Sequence, residues 1–435
     1  MTLKKLIYQS IVWRGMFFAS SLVLNILIAR YYQASLSGWI YYIINFYTFI
    51  LLLLSLSLES GMGYFVSKKE ISANQLLNFS ILWTIIAGVF VFLLFYWRRG
   101  NTSAGISHKL YLISSLCYVC GNLLITYCSN LFYAEKNFWL PNCLLVGINL
   151  LLIFLVVPFG IWFPSILDGE RYLFIYFFGF LVQGLTLAVV FKLRYSPAWE
   201  GRLPSIEEFK KLLRYCLAAF SGNAIFFLLY RIDYIFVKKY CTAQDLGNYI
   251  QVSKLGQMFI LLPIIFASAI FPLTAGGQRA EVNHVLKIMT RILLVLLGSC
   301  CLFLAVTGNW LFPFVFGESF SRMYKPFLLL IPGILALSSL NPLAAYYAGK
   351  NRLGVNISGS VLALIVIIAG DIIFIPKFGI ESAAAVSSLG YMVYYFYVLR
   401  TFTREYQASI GEFYLIRRSD FRWLKTLILE SIERK

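Results

Sequence analysis

The chain has 435 residues, of which 60% are hydrophobic and only 13% charged. A water-soluble protein of this length needs far more polar surface, so the composition excludes a soluble globular class and indicates a polytopic membrane protein. The formal net charge of +18 is not a nucleic-acid signature, because most of the Lys and Arg fall in short connections and the tail, where the retention of basic residues on the cytoplasmic side accounts for them.

About twelve apolar runs reach spanning length. In chain order they are approximately Ile7–Ala29, Trp39–Leu58, Leu76–Trp97, Leu110–Phe132, Asn142–Phe163, Tyr172–Phe191, Leu212–Val237, Asn248–Pro272, Ile288–Trp310, Pro326–Ala348, Gly354–Ile375 and Ile380–Leu399. The predicted class is all-α, with about 12 transmembrane helices. Lys4-Lys5 ahead of the first run imitates a signal peptide, but the run is too long and lacks a small-residue cleavage site, so it reads as an uncleaved span. Cys117 and Cys120 form C-x-x-C inside the fourth run without a second ligand pair, and the eight cysteines follow no disulfide spacing. They read as small packing residues.

The connections are short except for Lys192 to Lys211, which divides the chain near its middle. Within it, Ser205 and Glu208 have capping-box spacing, so a helix should begin there and run into the seventh span. The expected organisation is an N-terminal six-helix lobe over 1–195, a cytoplasmic linker over 196–211, a C-terminal six-helix lobe over 212–400 and a tail over 401–435. In the tail, Phe421, Leu424, Leu427, Ile428 and Ile432 recur at helical spacing with Arg422, Lys425, Glu430 and Arg434 between them. That is the pattern of an amphipathic helix lying on the inner membrane face. With the N-terminus inside, 24 Lys and Arg fall on inner segments and ten on outer ones, which places both termini in the cytoplasm. Arg98-Arg99 is the one connection against the rule.

The halves read as parallel repeats. Tyr133-Ala134-Glu135-Lys136-Asn137 and Asn142 match Tyr347-Ala348-Gly349-Lys350-Asn351 and Asn356, five identities in ten positions, at the turn between the fourth and fifth spans of each half. Pro158-Phe159-Gly160-Ile161 corresponds to Pro376-Lys377-Phe378-Gly379-Ile380. Tyr31, Ala34 and Gly38 have the spacing of Tyr240, Ala243 and Gly247. Equal halves of the same topology imply a repeat axis along the membrane normal. Pro263 and Pro332 fall inside spans, where each removes a helix hydrogen bond and can bend its helix.

Charges deep inside the runs, away from their first turns, are few: Arg14, Arg231, Asp233, Lys254 and Asp371, with Glu59 at the inner end of the second run. An ionised side chain in hydrocarbon is costly, so these should face protein or a wet cavity. Arg231 and Asp233 are two apart and point to different sides of a helix. With a turn near Ala243, Asp233 lies ten residues before it and Lys254 eleven after, so in an antiparallel hairpin the two sit at similar depth. Arg14, Arg231 and Lys254 give the interior a basic lean suited to phosphate or acidic sugars, and are the substrate-binding candidates. Asp233 and Asp371 are the ion-coupling candidates. Asp371 sits near the outer end of its run, and the competing role for Asp233 is neutralisation of Lys254.

Catalytic chemistry is sparse. His108 and His284 lie in connections at opposite ends of the membrane, and Asp168 with Glu170 is the nearest approach to a carboxylate pair in an outer loop. No P-loop is present. The chain is therefore expected to move a substrate rather than convert it, without metal or cofactor, with H+ or Na+ as the driving ion.

The second half resembles the polysaccharide-transport family (Wzx-type oligosaccharide flippases) of the multidrug/oligosaccharidyl-lipid/polysaccharide (MOP) exporter superfamily. The resemblance is carried by Leu311-Phe312-Pro313-Phe314-Val315-Phe316-Gly317-Glu318-Ser319-Phe320, Ala348-Gly349-Lys350-Asn351 and Ile375-Pro376-Lys377-Phe378-Gly379-Ile380-Glu381-Ser382-Ala383-Ala384. Upstream, Arg231-Ile232-Asp233-Tyr234, Gly247-Asn248-Tyr249 and Pro272 agree. Glu381-Ser382 departs from the family's usual small-Gly pair. The resemblance implies two six-helix lobes around a central cavity open alternately to each side. Its implied substrate is an undecaprenyl-pyrophosphate-linked oligosaccharide, such as an O-antigen repeat unit. It also implies a multi-pass protein of the bacterial inner membrane, with membrane lipids and other polysaccharide-assembly membrane proteins as partners and no role for nucleic acid. The alternatives are a drug/cation antiporter of the same superfamily, which would want an acidic interior, and a membrane glycan polymerase or ligase, which would want a large outer loop.

Overall fold

The computed structural model describes residues 3–97, 107–162, 169–195, 201–264 and 279–407, with 409–414 and single positions at 267, 270, 274 and 420. Among the described residues the chain is helical and contains no strand. Its helices are α1 (Leu3–Ser55), α2 (Leu58–Ser67), α3 (Ala73–Trp97), α4 (His108–Ala134), α5 (Trp139–Trp162), α6 (Gly169–Tyr195), α7 (Ile206–Arg231), α8 (Asp233–Tyr240), α9 (Ala243–Phe259), α10 (Arg279–Phe316), α11 (Tyr324–Gly349) and α12 (Leu353–Tyr406). Eight described helical stretches are long and apolar enough to cross a membrane. Within the described residues the predicted runs fall on helix apart from turns at 56–57, at Ile232 and at Ile260, and the eighth is described continuously as far as Ile264. Two compact units divide the chain at Met1–Ala224 and Ile225–Lys435.

In the first unit, α1 holds two predicted spans. It is broken at Gln33 (φ 58°, ψ 178°), and the Tyr41 hydroxyl donates to the Asn25 carbonyl at 3.0 Å. Residues 16 apart on one straight helix would be about 24 Å apart, so the arms fold back side by side. A second break follows at Leu56 and Ser57, both left-handed (φ 48° and 53°). Helix breaks in a membrane leave carbonyls that water cannot satisfy. Here the Trp83 indole donates to the Leu54 carbonyl at 2.7 Å and the Tyr127 hydroxyl to the Ser55 carbonyl at 3.2 Å. The Asn223 amide donates to the Ser57 hydroxyl at 3.0 Å. Asn223 lies on α7, whose first turns pack within this unit, and this is why the division falls inside α7. The helix starts where the capping box predicts: Ser205 N donates to Glu208 at 2.6 Å and Glu208 N to Ser205 Oγ at 3.2 Å. Helices α4 and α6 approach so closely that a Cβ at Gly121 would stand 2.4 Å from the Phe180 backbone, the small-residue packing expected where lipid gives no hydrophobic drive.

The second unit also holds a hairpin closed at a backbone break. Helix α12 holds the last two spans and is broken at Gly379 (φ 63°, ψ −146°). Its arms lie together because Gly370 and Gly390 have no side chains: a Cβ on either would be 2.5 Å from Val386 or Ile367. The matched turns end both fourth spans alike. Lys136 and Asn351 are left-handed (φ 58° and 57°), and the amides of Asn137 and Arg352 each reach back to the carbonyls of Phe132 and Tyr347 at 2.9 Å. The left-handed residue is shifted by one position between the two copies. Pro263 cannot bond the Phe259 carbonyl, and α9 ends at Phe259. Pro332 stays within α11.

At the start of α9, Thr242 and Asp245 cap each other, and the Arg322 guanidinium reaches Asp245 at 2.9 Å. Burial pushes the Asp245 carboxyl up, but the Thr242 hydroxyl and Arg322 outweigh it and hold it below the ordinary carboxylate range. The stability this adds is complete at neutral pH and is lost as pH falls through that lowered value. With Arg322 more than half exposed, the gain is small. Near the chain end, Arg291 pairs with Asp420 at 2.7 Å and Lys287 with Glu412 at 2.6 Å. The amphipathic tail read from the sequence otherwise lies outside the described residues.

A methyl group at Gly370 should therefore be resisted. Gly370→Ala is expected to destabilise by about 1–3 kcal/mol through overpacking. Gly147→Ala on α5, where nothing lies within 4 Å, should be neutral or slightly stabilising. Thermal unfolding of the two variants in detergent checks the contrast, and equal midpoints would refute it.

Candidate functional site

The most closely held charge in the second unit is Asp233, which is 1% exposed. It opens α8, directly after the turn at Ile232 that ends α7. Tyr234 N–H donates to Asp233 Oδ1 at 2.9 Å, drawing that amide away from the helix ladder. The other oxygen, Oδ2, accepts from the Tyr249 hydroxyl of α9 and from the Ser387 hydroxyl of α12, the latter at 3.1 Å. Tyr249 and Ser387 are themselves 3.3 Å apart. Tyr234 sends its hydroxyl to Ser253 Oγ at 2.8 Å. Three helices thus converge on one carboxylate through hydroxyl and amide donors. A buried carboxylate with three donors tolerates its charge far better than a bare one.

Asp371 has no such help. It is 0% exposed, and among the described residues neither of its oxygens has a hydrogen-bond partner. It sits one residue after Gly370, on the arm of α12 that packs against the arm bearing Ser387. There it interacts electrostatically with Asp233, and both carboxylates act on Tyr249 and Tyr391. The sequence placed Asp371 near the outer end of a span. The fold places it in the same buried cluster as Asp233. Two carboxylates within electrostatic reach in a low-dielectric core repel each other when both are ionised.

Two cations from the spans of the second unit also act on each other. Arg231 ends α7 with its guanidinium 5.3 Å from the Phe227 ring, and it interacts electrostatically with Lys254 on α9. Both are half-buried. Arg14 lies on α1 in the first unit, and its side chain falls outside the described residues. Glu59, in the first turn of α2, has a buried Oε2 with no hydrogen-bond partner among the described residues. Asp168 lies outside the described residues, as does the side chain of Glu170.

Sequence reasoning missed Tyr249, Ser387, Tyr234 and Ser253. A signal existed for the first and third, since the two upstream motifs, Arg231-Ile232-Asp233-Tyr234 and Gly247-Asn248-Tyr249, carry the carboxylate and its donors. Ser387 offered only a small hydroxyl in an apolar run.

No family profile matches the sequence, and no curated protein matches it. Solved structures do. The chain is similar to the lipid II flippase MurJ in an inward closed conformation, with a TM-score of 0.73 and 14% identity over 93% of this chain and 89% of that one. It is similar to an inward-facing multidrug resistance MATE family transporter of the MOP superfamily, with a TM-score of 0.71 and 13% identity over 88% and 93%. A MOP superfamily transporter from Pyrococcus furiosus, described by the reverse polarity of its binding pocket, gives 0.65 and 12% over 92% and 95%. Identities this low speak for architecture alone, and the architecture is the twelve-span, two-lobe fold of MOP-superfamily transporters.

Proposed function

We propose that the chain is an alternating-access flippase that carries an undecaprenyl-pyrophosphate-linked oligosaccharide from the cytoplasmic to the periplasmic leaflet of a bacterial inner membrane. The observation that carries this reading is that Arg231 and Lys254, both half-buried in membrane-spanning segments, lie within electrostatic reach of each other. Two half-buried cations within electrostatic reach can be bridged by one anion, and a pyrophosphate has the charge and oxygen count to serve both. Arg14, a cation within the first apolar run, is a further substrate-binding candidate on its sequence position alone. The fold shared with a lipid II flippase supports a lipid-linked glycan as the cargo class. The Lys/Arg distribution supports cytoplasmic termini. In this reading the protein moves its substrate without making or breaking a covalent bond, and the Asp233–Asp371 cluster takes up H+ or Na+ as the coupling ion. Loading the cluster relieves the repulsion between the carboxylates and shifts the balance of inward- and outward-open states.

A second reading is export of cationic compounds by antiport, favoured by the same carboxylates and by the MATE fold likeness. It requires the drug to touch an acidic surface, whereas Asp233 and Asp371 are 1% and 0% exposed.

The test is reconstitution with a fluorescent lipid-linked oligosaccharide in vesicles under an imposed pH or Na+ gradient. Arg231→Ala and Lys254→Ala should each lower transport about tenfold or more, the worth of one charge-assisted contact. Asp233→Asn should accumulate normally, yet its transport should no longer respond to the gradient. Unchanged gradient dependence would remove Asp233 from the coupling step, and failure to accumulate would assign it to the fold. Appearance of new glycosidic bonds would point to a polymerase instead.

Orientation is checked separately. Reporter fusions at Arg202 and at Lys435 should both report the cytoplasm, and an outside signal at either would reverse the assignment.

A further inference from the structure

The cytoplasmic end of the first unit, as oriented by its Lys/Arg excess, carries a cavity of about 400 Å³ between the end of α2 and the start of α7. Lys210, Lys211 and Arg214 line one wall, and Tyr64, Tyr215 and Glu70 line the rest with Phe65. The floor is rigid. Gly61 admits α7 so closely that a Cβ there would stand 2.5 Å from Cys216 Sγ and 2.6 Å from Leu212, and both of those side chains are fully buried. Tyr64 and Tyr215 stack with ring centroids 4.8 Å apart and planes 16° from parallel. Among the described residues none of the three cations is in an ion pair, whereas the one anion, Glu70, is within 3.9 Å of Lys68.

Lys210 and Arg214 are four apart, as are Lys211 and Tyr215, so two neighbouring rows of one helix deliver three cations and a phenol into one concavity. The lining gathers three positive charges against the one carboxylate of Glu70, itself within 3.9 Å of Lys68, and the tyrosines supply apolar ring faces with hydroxyl donors at the level where headgroups lie. The cytoplasmic leaflet offers anionic phosphates at this depth, and basic pockets between helices there hold phosphorylated headgroups.

We infer that this cavity is a binding site for the phosphate group of an inner-leaflet lipid, held by Lys210, Lys211 and Arg214 with Tyr64 and Tyr215. The shared chemistry is a lipid phosphate, and it has two sources: an anionic phospholipid of the bilayer, or a polyprenyl phosphate of the transported class. The site stands on the first unit alone, so it is independent of whether Asp233 couples transport to an ion.

The full chain in detergent is titrated with phosphatidylglycerol, phosphatidylcholine and undecaprenyl phosphate, and bound lipid is counted by native mass spectrometry. The wild type should retain phosphatidylglycerol or undecaprenyl phosphate in preference to phosphatidylcholine. Each cation removed should weaken that binding about fivefold, so Lys210→Gln, Lys211→Gln and Arg214→Gln combined should weaken it about a hundredfold. The charge-keeping set Lys210→Arg, Lys211→Arg and Arg214→Lys should restore binding, which separates loss of the site from loss of the fold. Lys238→Gln with Lys239→Gln removes two charges elsewhere and should change nothing. Preference for phosphatidylglycerol identifies a bilayer lipid as the source, and preference for undecaprenyl phosphate identifies the cargo class. Equal binding of every lipid by the wild type and the triple Gln variant overturns the inference.

Discussion

The second unit depends on keeping the Asp233 carboxylate buried. A carboxylate out of water must be given donors or neutralised. Donors here come from α8, α9 and α12 at once, through Tyr234, Tyr249 and Ser387. Those helices must meet at one point for the charge to be tolerated. The glycines that let the arms of α12 close up, with Gly370 against Val386, bring Ser387 to that point. The same closure brings Asp371 there without donors of its own. Among the described residues one carboxylate is therefore solvated by protein and its neighbour is not.

The first unit faces the same constraint in its backbone. Its second span is interrupted at Leu56 and Ser57, and the freed carbonyls are taken by Trp83 and Tyr127, with Asn223 closing on the Ser57 hydroxyl. Each donor comes from a different helix, so the break ties α3, α4 and α7 to one place. In both units the polar exceptions to an apolar interior decide which helices are neighbours, because apolar side chains facing apolar lipid do not.

Much of this was legible in the sequence, for reasons that show where legibility stops. Spans are set by bilayer thickness, so the apolar runs fall on helix. The capping box at Ser205 and Glu208 and the matched turns at Lys136 and Asn351 depend on local hydrogen bonds, which local residues specify. Matched depth across a hairpin drew attention to Asp233 and Lys254, but depth is one coordinate of three. It says nothing of which face of α9 meets α8, and it is Tyr249 that meets the carboxylate. Distance along a span likewise suggested that Asp371 sat near the surface. Its burial is set by the arm of α12 folding over it, a long-range event that periodicity does not record.

The two hairpins reverse direction by unequal means. Gly379 turns the second with a backbone conformation open to glycine at little cost, whereas the first turns on Gln33 at φ 58°, ψ 178°. That region is all but closed to residues with a Cβ and carries strain of about 1–3 kcal/mol. For anyone seeking a hardier form of the protein for crystallisation, position 33 is the place to begin, since a glycine there relaxes the tip without touching a buried charge.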